Sequence, residues 1–296
     1  MASTPEPAAP TLLAYPNVSE GRQAEAIAAI AAAFGPGLLD VHSDPDHHRS
    51  AYTLAGPPQG LAEAVLNGAT AAIELLTLDR HDGIHPRVGV LDVAPIVYRQ
   101  RADRGAACAE ALLLADRLGS ELALPVFLYG SLAGGRTRAQ LRRGGPGELA
   151  RRIGAGELRC DFGPDRLHPT AGAVLVAARP PLVAFNVELA APATLEDART
   201  IAARIREGGS EGLPGVRAIG LWLAQRGCAQ VSTNVEDPAQ TKLAAVVAAV
   251  ARHAPLAGAE LVGLAPQVAL EDFPPELPLR GVATIEETLA RHARTA

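Results

Sequence analysis

The sequence predicts a mixed α/β (α+β) fold, built as two β-α-β-β-α-β subdomains with a ligand cleft between them. Three observations predict it. Apolar residues recur with the two-residue period of strands in some segments and with the 3.6-residue period of helices in others. The same order of elements occurs twice, before and after Arg179-Pro180-Pro181. A length of 296 residues, 48% of them hydrophobic, is enough to bury two cores.

Residues 1–10 are rich in Pro and Ala and are expected to form a disordered tail. Residues 11–16 (TLLAYP) read as a strand. Ser19 or Glu20 serves the N-terminus of a helix over Arg22–Phe34, where Ala24, Ile27, Ile30 and Ala31 share a face, and Gly35-Pro36-Gly37 stops it. Leu38–His42 and Ser50–Ala55 read as strands around the polar loop SDPDHHR, Leu61–Leu78 as a second amphipathic helix and Val88–Tyr98 as a strand. This is the split βαβ order of ferredoxin-like domains. A helix over Ala102–Leu118, a strand over Leu124–Tyr129, one Arg-rich helix over Thr137–Ile153 and a Gly/Pro/Asp loop over Cys160–Gly172 extend it.

The second half has a leading strand at Ala173–Ala178 and then repeats the order. Pro181–Leu189 is a strand, and Thr194–Glu207 a helix with Thr194 as N-cap ahead of Asp197. Val216–Ala224 and Ala229–Val235 are strands, Pro238–His253 a helix and Glu260–Leu264 a strand. The halves share an order of elements but no sequence repeat. The expected subdomains are residues 11–179 and 180–296.

Composition excludes several classes. With 27 basic and 32 acidic residues the net charge is −5, so binding a polyanion by bulk charge is not expected. Aromatic residues make up 3%, too few for a stacking platform on single-stranded nucleic acid. Cys108, Cys160 and Cys228 are sparse and distant, which predicts buried thiols in a reducing compartment. No stretch approaches the ~18 apolar residues of a membrane span, and the N-terminus lacks signal-peptide regions, so a cytoplasmic location is expected. There is no GxxxxGK[ST], GxSxG or HExxH sequence. Gly145-Pro146-Gly147 with Ala150 fits GxGxxA but follows an Arg-rich segment instead of a strand, so it is no dinucleotide fingerprint.

Two polar segments carry candidate chemistry. The loop from His42 to Arg49 admits a solvated turn, a metal site or an anion-binding loop, and the guanidinium fork of Arg49 favours the last. His81-Asp82-Gly83-Ile84-His85-Pro86-Arg87 precedes the third strand. An imidazole titrates near ~6.5 and can take or give a proton near neutrality. Gly83 permits a turn, Pro86 stiffens the chain, and strand alternation would put His85 and Arg87 on one side. A proton shuttle beside a carboxylate clamp and a purely structural histidine are both open at this point.

The segments PNVSEGR (16–22), LLDVHSDPDHHRS (38–50), RHDGIHPRVGVLDVAP (80–95), PVFLYG (125–130), DFGP (161–164), AFNVEL (184–189), AQVSTNVED (229–237) and ELVGLAP (260–266) together resemble the glutamate formimidoyltransferase family. This folate-dependent transferase unit also forms the N-terminal part of formimidoyltransferase-cyclodeaminase. The 296 residues match the transferase unit alone, so no cyclodeaminase domain is expected. The resemblance implies that His85 is the catalytic histidine. It implies that Gly163, Pro164, Asp165, Arg166, Leu167, His168, Pro169, Thr170, Ala171 and Gly172 contribute to a folate site between two ferredoxin-like subdomains. Asn17 and Glu20 would lie near the cleft. His42, Arg49 and Arg87 are substrate-binding candidates, the two arginines for carboxylates, and Arg136, Arg138, Arg142 and Arg143 either line a channel mouth or form a solvated face.

The implied reaction moves a formimidoyl group from N-formimidoyl-L-glutamate to N5 of tetrahydrofolate, a co-substrate, with no metal. The partners implied are small molecules, with no nucleic acid and no membrane; a homodimer stays open. His85 would lose activity on acidification through a pKa of ~6–7. The sequence departs from the family at Ile84, where Glu is usual, at Ala171, where many members have Trp, and at His42, where some have Asp. These departures leave two other readings: a different donor such as formimidoylglycine, or a folate-binding protein without catalysis.

Overall fold

The computed structural model describes residues 10–295, so the expected N-terminal tail lies, apart from Pro10, outside the described residues. The first half contains β1 (Leu12–Ala14), β2 (Asn17–Val18), α1 (Ala24–Ala33), β3 (Leu38–Asp44), β4 (Arg49–Gly56), α2 (Gly60–Leu75), β5 (Leu91–Val97), α3 (Arg104–Glu121), β6 (Val126–Leu128), α4 (Arg138–Arg142), α5 (Gly145–Gly154) and β7 (Val174–Arg179). The second contains β8 (Val183–Leu189), α6 (Leu195–Ile205), β9 (Val216–Leu223), β10 (Cys228–Val235), α7 (Leu243–Ala251), β11 (Leu256–Leu261), β12 (Leu279–Arg280) and α8 (Ile285–Thr295).

Each half forms its own sheet. In the first, β1 and β2 act as one interrupted strand between β4 and β5; β3 flanks β4, and these pairings are antiparallel. β7 and then β6 continue the sheet parallel to β5. In the second, the order β9-β10-β8-β11 is antiparallel, and β12 adds parallel to β11.

Alternation along the strands gives each sheet two faces; in the first sheet one packs on α1, α2 and α3, and the other carries α4 and α5 beside the cleft. Ser50, Tyr52 and Leu54 of β4 turn away from the cleft, Tyr52 and Leu54 joining the apolar core shared with α1, α2 and α3. Arg49, Ala51 and Thr53 turn to the other side and line the cavity. Val183, Phe185, Val187 and Leu189 of β8 pack on α6 and α7, while Ala184 and Asn186 line the cavity. The two halves are joined by a small apolar cluster in which Ile285 and Leu289 of α8, with Leu264, meet Leu13 and Val97 of the first sheet. The elements β12 and α8 were not read from the sequence.

Thr194 caps α6 as expected. Its hydroxyl accepts from Asp197 N–H, and the Asp197 carboxylate accepts from Thr194 N–H, a reciprocal capping box. Three expectations are corrected. The Arg-rich helix over Thr137–Ile153 is two helices, because Gly144 and Gly145 take the left-handed conformation (φ 75° and 72°) that breaks the helix between α4 and α5. The strand expected at Ala173–Ala178 to lead the second half is β7, which belongs to the first sheet through parallel pairing with β5 and β6. The strand expected from Val88 starts at Leu91, so residues 85–90 are irregular and strand alternation does not govern His85 and Arg87.

Candidate active site

The cavity lies between the two sheets, on the face of the first sheet that α4 and α5 partly cover. Arg49, Ala51 and Thr53 of β4 and Val93 and Pro95 of β5 face Asn186 of β8 and Ser232 and Asn234 of β10. The cavity measures about 110 Å³. It continues past His85, Arg138 and Arg142 into a groove of about 580 Å³.

Asp92 organises the cationic wall. It is the extra residue of a β-bulge, since Asn17 and Val18 of β2 pair with Val93 and Leu91. The bulge sends Leu91 into the helix-side core and lets the fully buried Asp92 carboxylate reach the cleft arginines. Its Oδ1 accepts from Val88 N–H at 2.8 Å, and its Oδ2 accepts from Arg49 Nη1 at 2.6 Å and from Arg142 Nη2. Arg49 Nε donates to Asn17 Oδ1 at 2.9 Å. Burial alone would raise the Asp92 carboxyl, but the Arg142 and Arg49 guanidiniums hold it far below the usual carboxylate range. Arg138, by contrast, has no carboxylate within 4 Å among the described residues; its guanidinium lies 5.7 Å above the Tyr129 ring.

His85 lines both the cavity and the groove. Its Nδ1–H donates to the Pro86 carbonyl at 2.8 Å, which leaves Nε2 as the ring's basic atom. Burial first, and then the cations of Arg49 and Arg142, push its pKa well below 6.5, with Asp92 opposing. The imidazole is therefore neutral at pH 7. An acid limit at ~6–7, expected from an unperturbed imidazole, moves to lower pH.

The segment before His85 is fixed by close packing. His81 Nε2–H donates to the His48 carbonyl at 2.7 Å, and its Nδ1 accepts from Gly83 N–H at 3.1 Å. The His81 and His48 rings stack with centroids 4.2 Å apart. A Cβ on Gly83 would come within 2.6 Å of both the His47 carbonyl and the His48 side chain, so only glycine lets this loop press against its neighbour. His81 follows a single 3₁₀ turn over Leu78–Arg80.

Of the predicted site residues, the structure brings Asn17, His42, Arg49 and His85 together in one cavity. It does not bring Glu20, Arg87 or residues 163–172 there. The Glu20 carboxylate is spent at the start of α1, accepting from Arg22 N–H at 2.6 Å and Gln23 N–H at 2.9 Å. Arg87 turns into its own loop, donating to the carbonyls of Gly83, His85 and His81, so it is not a free carboxylate clamp. The 163–172 loop is sewn to the edge of the first sheet: Gly172 bridges Gly89, the Thr170 carbonyl accepts from Leu78 N–H, and Phe162 just ahead of the loop bridges Val126. Arg138 and Arg142 line the cleft, whereas the Arg136 guanidinium pairs with Asp161.

Asp92 and His47 were missed. Asp92 has a signal, a lone charge inside the apolar run VGVLDVAPIV. His47 has none that separates it from the other polar residues of its loop. Tyr15 Oη, His42 Nε2, His47 Nε2, Arg142 Nε and Arg179 Nε are buried without a partner, and all five side chains line this cavity. Such atoms are costly unless a ligand satisfies them. Among the described residues no three His, Cys, Asp or Glu side chains gather as a metal-binding group, and no helix is long and apolar enough to cross a membrane.

The site is thus a polar, cationic cleft between two sheets, with a neutral imidazole where the cavity meets the groove. Residues 11–179 match the formiminotransferase domain, N-terminal subdomain, and residues 184–273 match the formiminotransferase domain. The chain belongs to the formiminotransferase family. It is 41% identical over 276 residues to formimidoyltransferase-cyclodeaminase from Sus scrofa, covering 87% of this chain and 50% of that protein. It is 35% identical over 269 residues to glutamate formimidoyltransferase from Streptococcus pyogenes serotype M1, covering 87% of this chain and 89% of that protein. The glutamate formimidoyltransferase of Thermoplasma acidophilum is 32% identical over 271 residues, with 87% and 88% covered. The chain spans about half the length of the formimidoyltransferase-cyclodeaminases it matches.

Proposed function

We propose that this protein transfers the formimidoyl group from N-formimidoyl-L-glutamate to N5 of tetrahydrofolate, giving 5-formimidoyltetrahydrofolate and L-glutamate, as a cytoplasmic enzyme of histidine degradation and one-carbon metabolism. The observation that carries the reading is His85, a neutral imidazole with a free Nε2 set among arginines in the cavity. The relatives named glutamate formimidoyltransferase, most of whose length this chain covers, supply the choice of reaction. The strand orders β3-β4-β1/β2-β5 and β9-β10-β8-β11 support reading each half as ferredoxin-like.

In this reading His85 Nε2 accepts the proton of folate N5 as N5 attacks the formimidoyl carbon. Proton transfer of this kind contributes ~10²–10⁴-fold. The cleft holds the two substrates face to face, which lowers the entropic barrier to their meeting. Asn17, His42 and Arg49 line the donor's position, and Arg138, with no carboxylate of its own, receives a substrate carboxylate. The buried unpartnered atoms and the cationic wall fit an anionic, hydrogen-bonding folate. The residues of the 163–172 loop, outside the cavity, are not given a folate contact.

The test is a transfer assay with N-formimidoyl-L-glutamate and tetrahydrofolate, run beside a calorimetric folate titration. Saturable folate binding with formation of 5-formimidoyltetrahydrofolate is expected. Folate binding without transfer from this donor, but with transfer from formimidoylglycine, would change the donor; binding with no transfer at all would overturn the enzyme reading.

A further inference from the structure

The cavity holds an imidazole that the mechanism above leaves idle. His47 is buried, 6% exposed, and lines the same cavity as His85. The two rings lie with centroids 6.2 Å apart. His47 Nδ1 is 3.0 Å from Asp44 Oδ1, so its Nδ1–H is directed at the carboxylate and Nε2 is the nitrogen left to exchange a proton. That Nε2 is buried and has no partner among the described residues.

Asp44 is itself fixed. Its Oδ1 also accepts from His47 N–H at 2.8 Å, and its Oδ2 accepts from Arg226 Nη2 at 3.0 Å. Arg226 comes from the turn between β9 and β10, and in the same turn Gln225 N–H donates to Asp46 Oδ1 at 2.8 Å. The pair is therefore braced from the opposite sheet and stands at the cleft only because the sheets are docked. Burial would raise the Asp44 carboxyl, but the hydrogen bonds from His47, with Arg226, hold it at about 2, so it remains an anion. The carboxylate on Nδ1 fixes the direction of the His47 imidazole, and the arginines beside His85 keep that second ring neutral.

Resting on the transfer reaction proposed above, we propose that His47, oriented by Asp44, is the second catalytic residue: it protonates the departing glutamate nitrogen while His85 takes the proton from N5. The bond from N5 to the formimidoyl carbon forms, the bond from that carbon to the glutamate nitrogen breaks, and its electron pair takes the Nε2 proton of His47, which enters the step as the imidazolium and leaves it neutral. The N5 proton goes to His85. One proton enters and one leaves the pair of imidazoles, and the proton returns between them through solvent after product release, so the cycle needs no further reactant.

The test uses the full chain. In His47→Asn the amide can still donate to Asp44, while the Nε2 position is lost. Turnover should fall by ~10²-fold or more, with the donor KM and folate affinity within a few-fold. His47→Ala should lose as much and regain part of it with added imidazole, more with imidazoles of higher proton-donating power at fixed pH. Asp44→Asn should sit between the parent and His47→Asn. A parent that transfers the group while His47→Asn stays within ~3-fold of it would overturn this proposal and leave the reaction assignment standing. Loss of turnover with no imidazole rescue and a raised donor KM would make His47 a binding group and overturn it equally. Where His47→Asn does not fold, the imidazole response of His47→Ala decides.

Discussion

Asp92 Oδ2 lies 2.6 Å from Arg49 Nη1, inside the first sheet, where the carboxylate is fully buried and the guanidinium side chain is 12% exposed. The same oxygen accepts from Arg142, so one carboxylate holds two cations on the cavity wall. Asp92→Asn leaves both arginines without a counter-charge. Breaking a buried pair on one side costs ~3–5 kcal/mol, which chemical denaturation should read directly. A loss below ~1 kcal/mol would mean that the arginines find water as easily as they found Asp92.

His85→Ala should lower turnover by ~10²-fold or more while folate affinity stays within a few-fold, because the lost interaction belongs to the transition state. The parent's own acid limb should lie well below the ~6.5 of a free imidazole, since burial and the arginines keep His85 neutral as the pH falls. In Arg142→Gln one of those cations is gone, and the limb should move upward. A pH–rate profile of both proteins checks the direction; a limb that moved downward would show that Arg142 does not face His85.

The strand faces of this cleft were readable because burial on one side writes a period of two into the sequence. Val183, Phe185, Val187 and Leu189 alternate with Ala184, Asn186 and Glu188, and the polar set is the one turned from the core. His85 was singled out by the resemblance of its HPR segment to the family; Gly83 and Pro86 alone left a structural histidine equally open. Arg87 was misread because its destination depends on the carbonyls of a folded loop, which no spacing encodes. Glu20 went to a helix N-terminus instead of the cleft for a similar reason: two free backbone N–H groups next to it compete for its carboxylate. Asp92 depends on a bulge that reverses the facing of one residue, and the Asp44–Arg226 contact joins positions on different sheets. Neither leaves a mark in local periodicity.

His81 should act on stability and not on chemistry. Both ring nitrogens are committed to backbone, so the ring must stay neutral, and burial pushes its pKa down to about 4. The unfolded chain takes up a proton near ~6.5, the folded one only near about 4, so stability contributed by the neutral ring is lost as pH falls between those values. For a partly exposed group the loss is ~2 kcal/mol, discounted for screening. His81→Gln should be less stable than the parent at pH 7 and show a shallower fall in stability from pH 7 to pH 4. An unchanged slope would assign the acid sensitivity to other groups.

Arg138 is a cleft cation whose removal strands no carboxylate, since none lies within 4 Å of it among the described residues. It is shared by the cavity, the groove and the adjoining pocket around Tyr98, which places it where the three meet. A charged hydrogen bond to a substrate carboxylate contributes ~1.5–3 kcal/mol. Arg138→Gln should therefore raise the KM of the substrate whose carboxylate it holds by ~10–100-fold, and leave kcat near the parent value because the carboxylate does not react. Unfolding free energy should stay within ~0.5 kcal/mol of the parent, as no buried ion pair is broken. Steady-state kinetics varied separately in N-formimidoyl-L-glutamate and in tetrahydrofolate identify which substrate Arg138 holds. If both KM values are unchanged, the carboxylate is received elsewhere, and Arg179, whose Nε is also buried without a partner, is the next cation to replace.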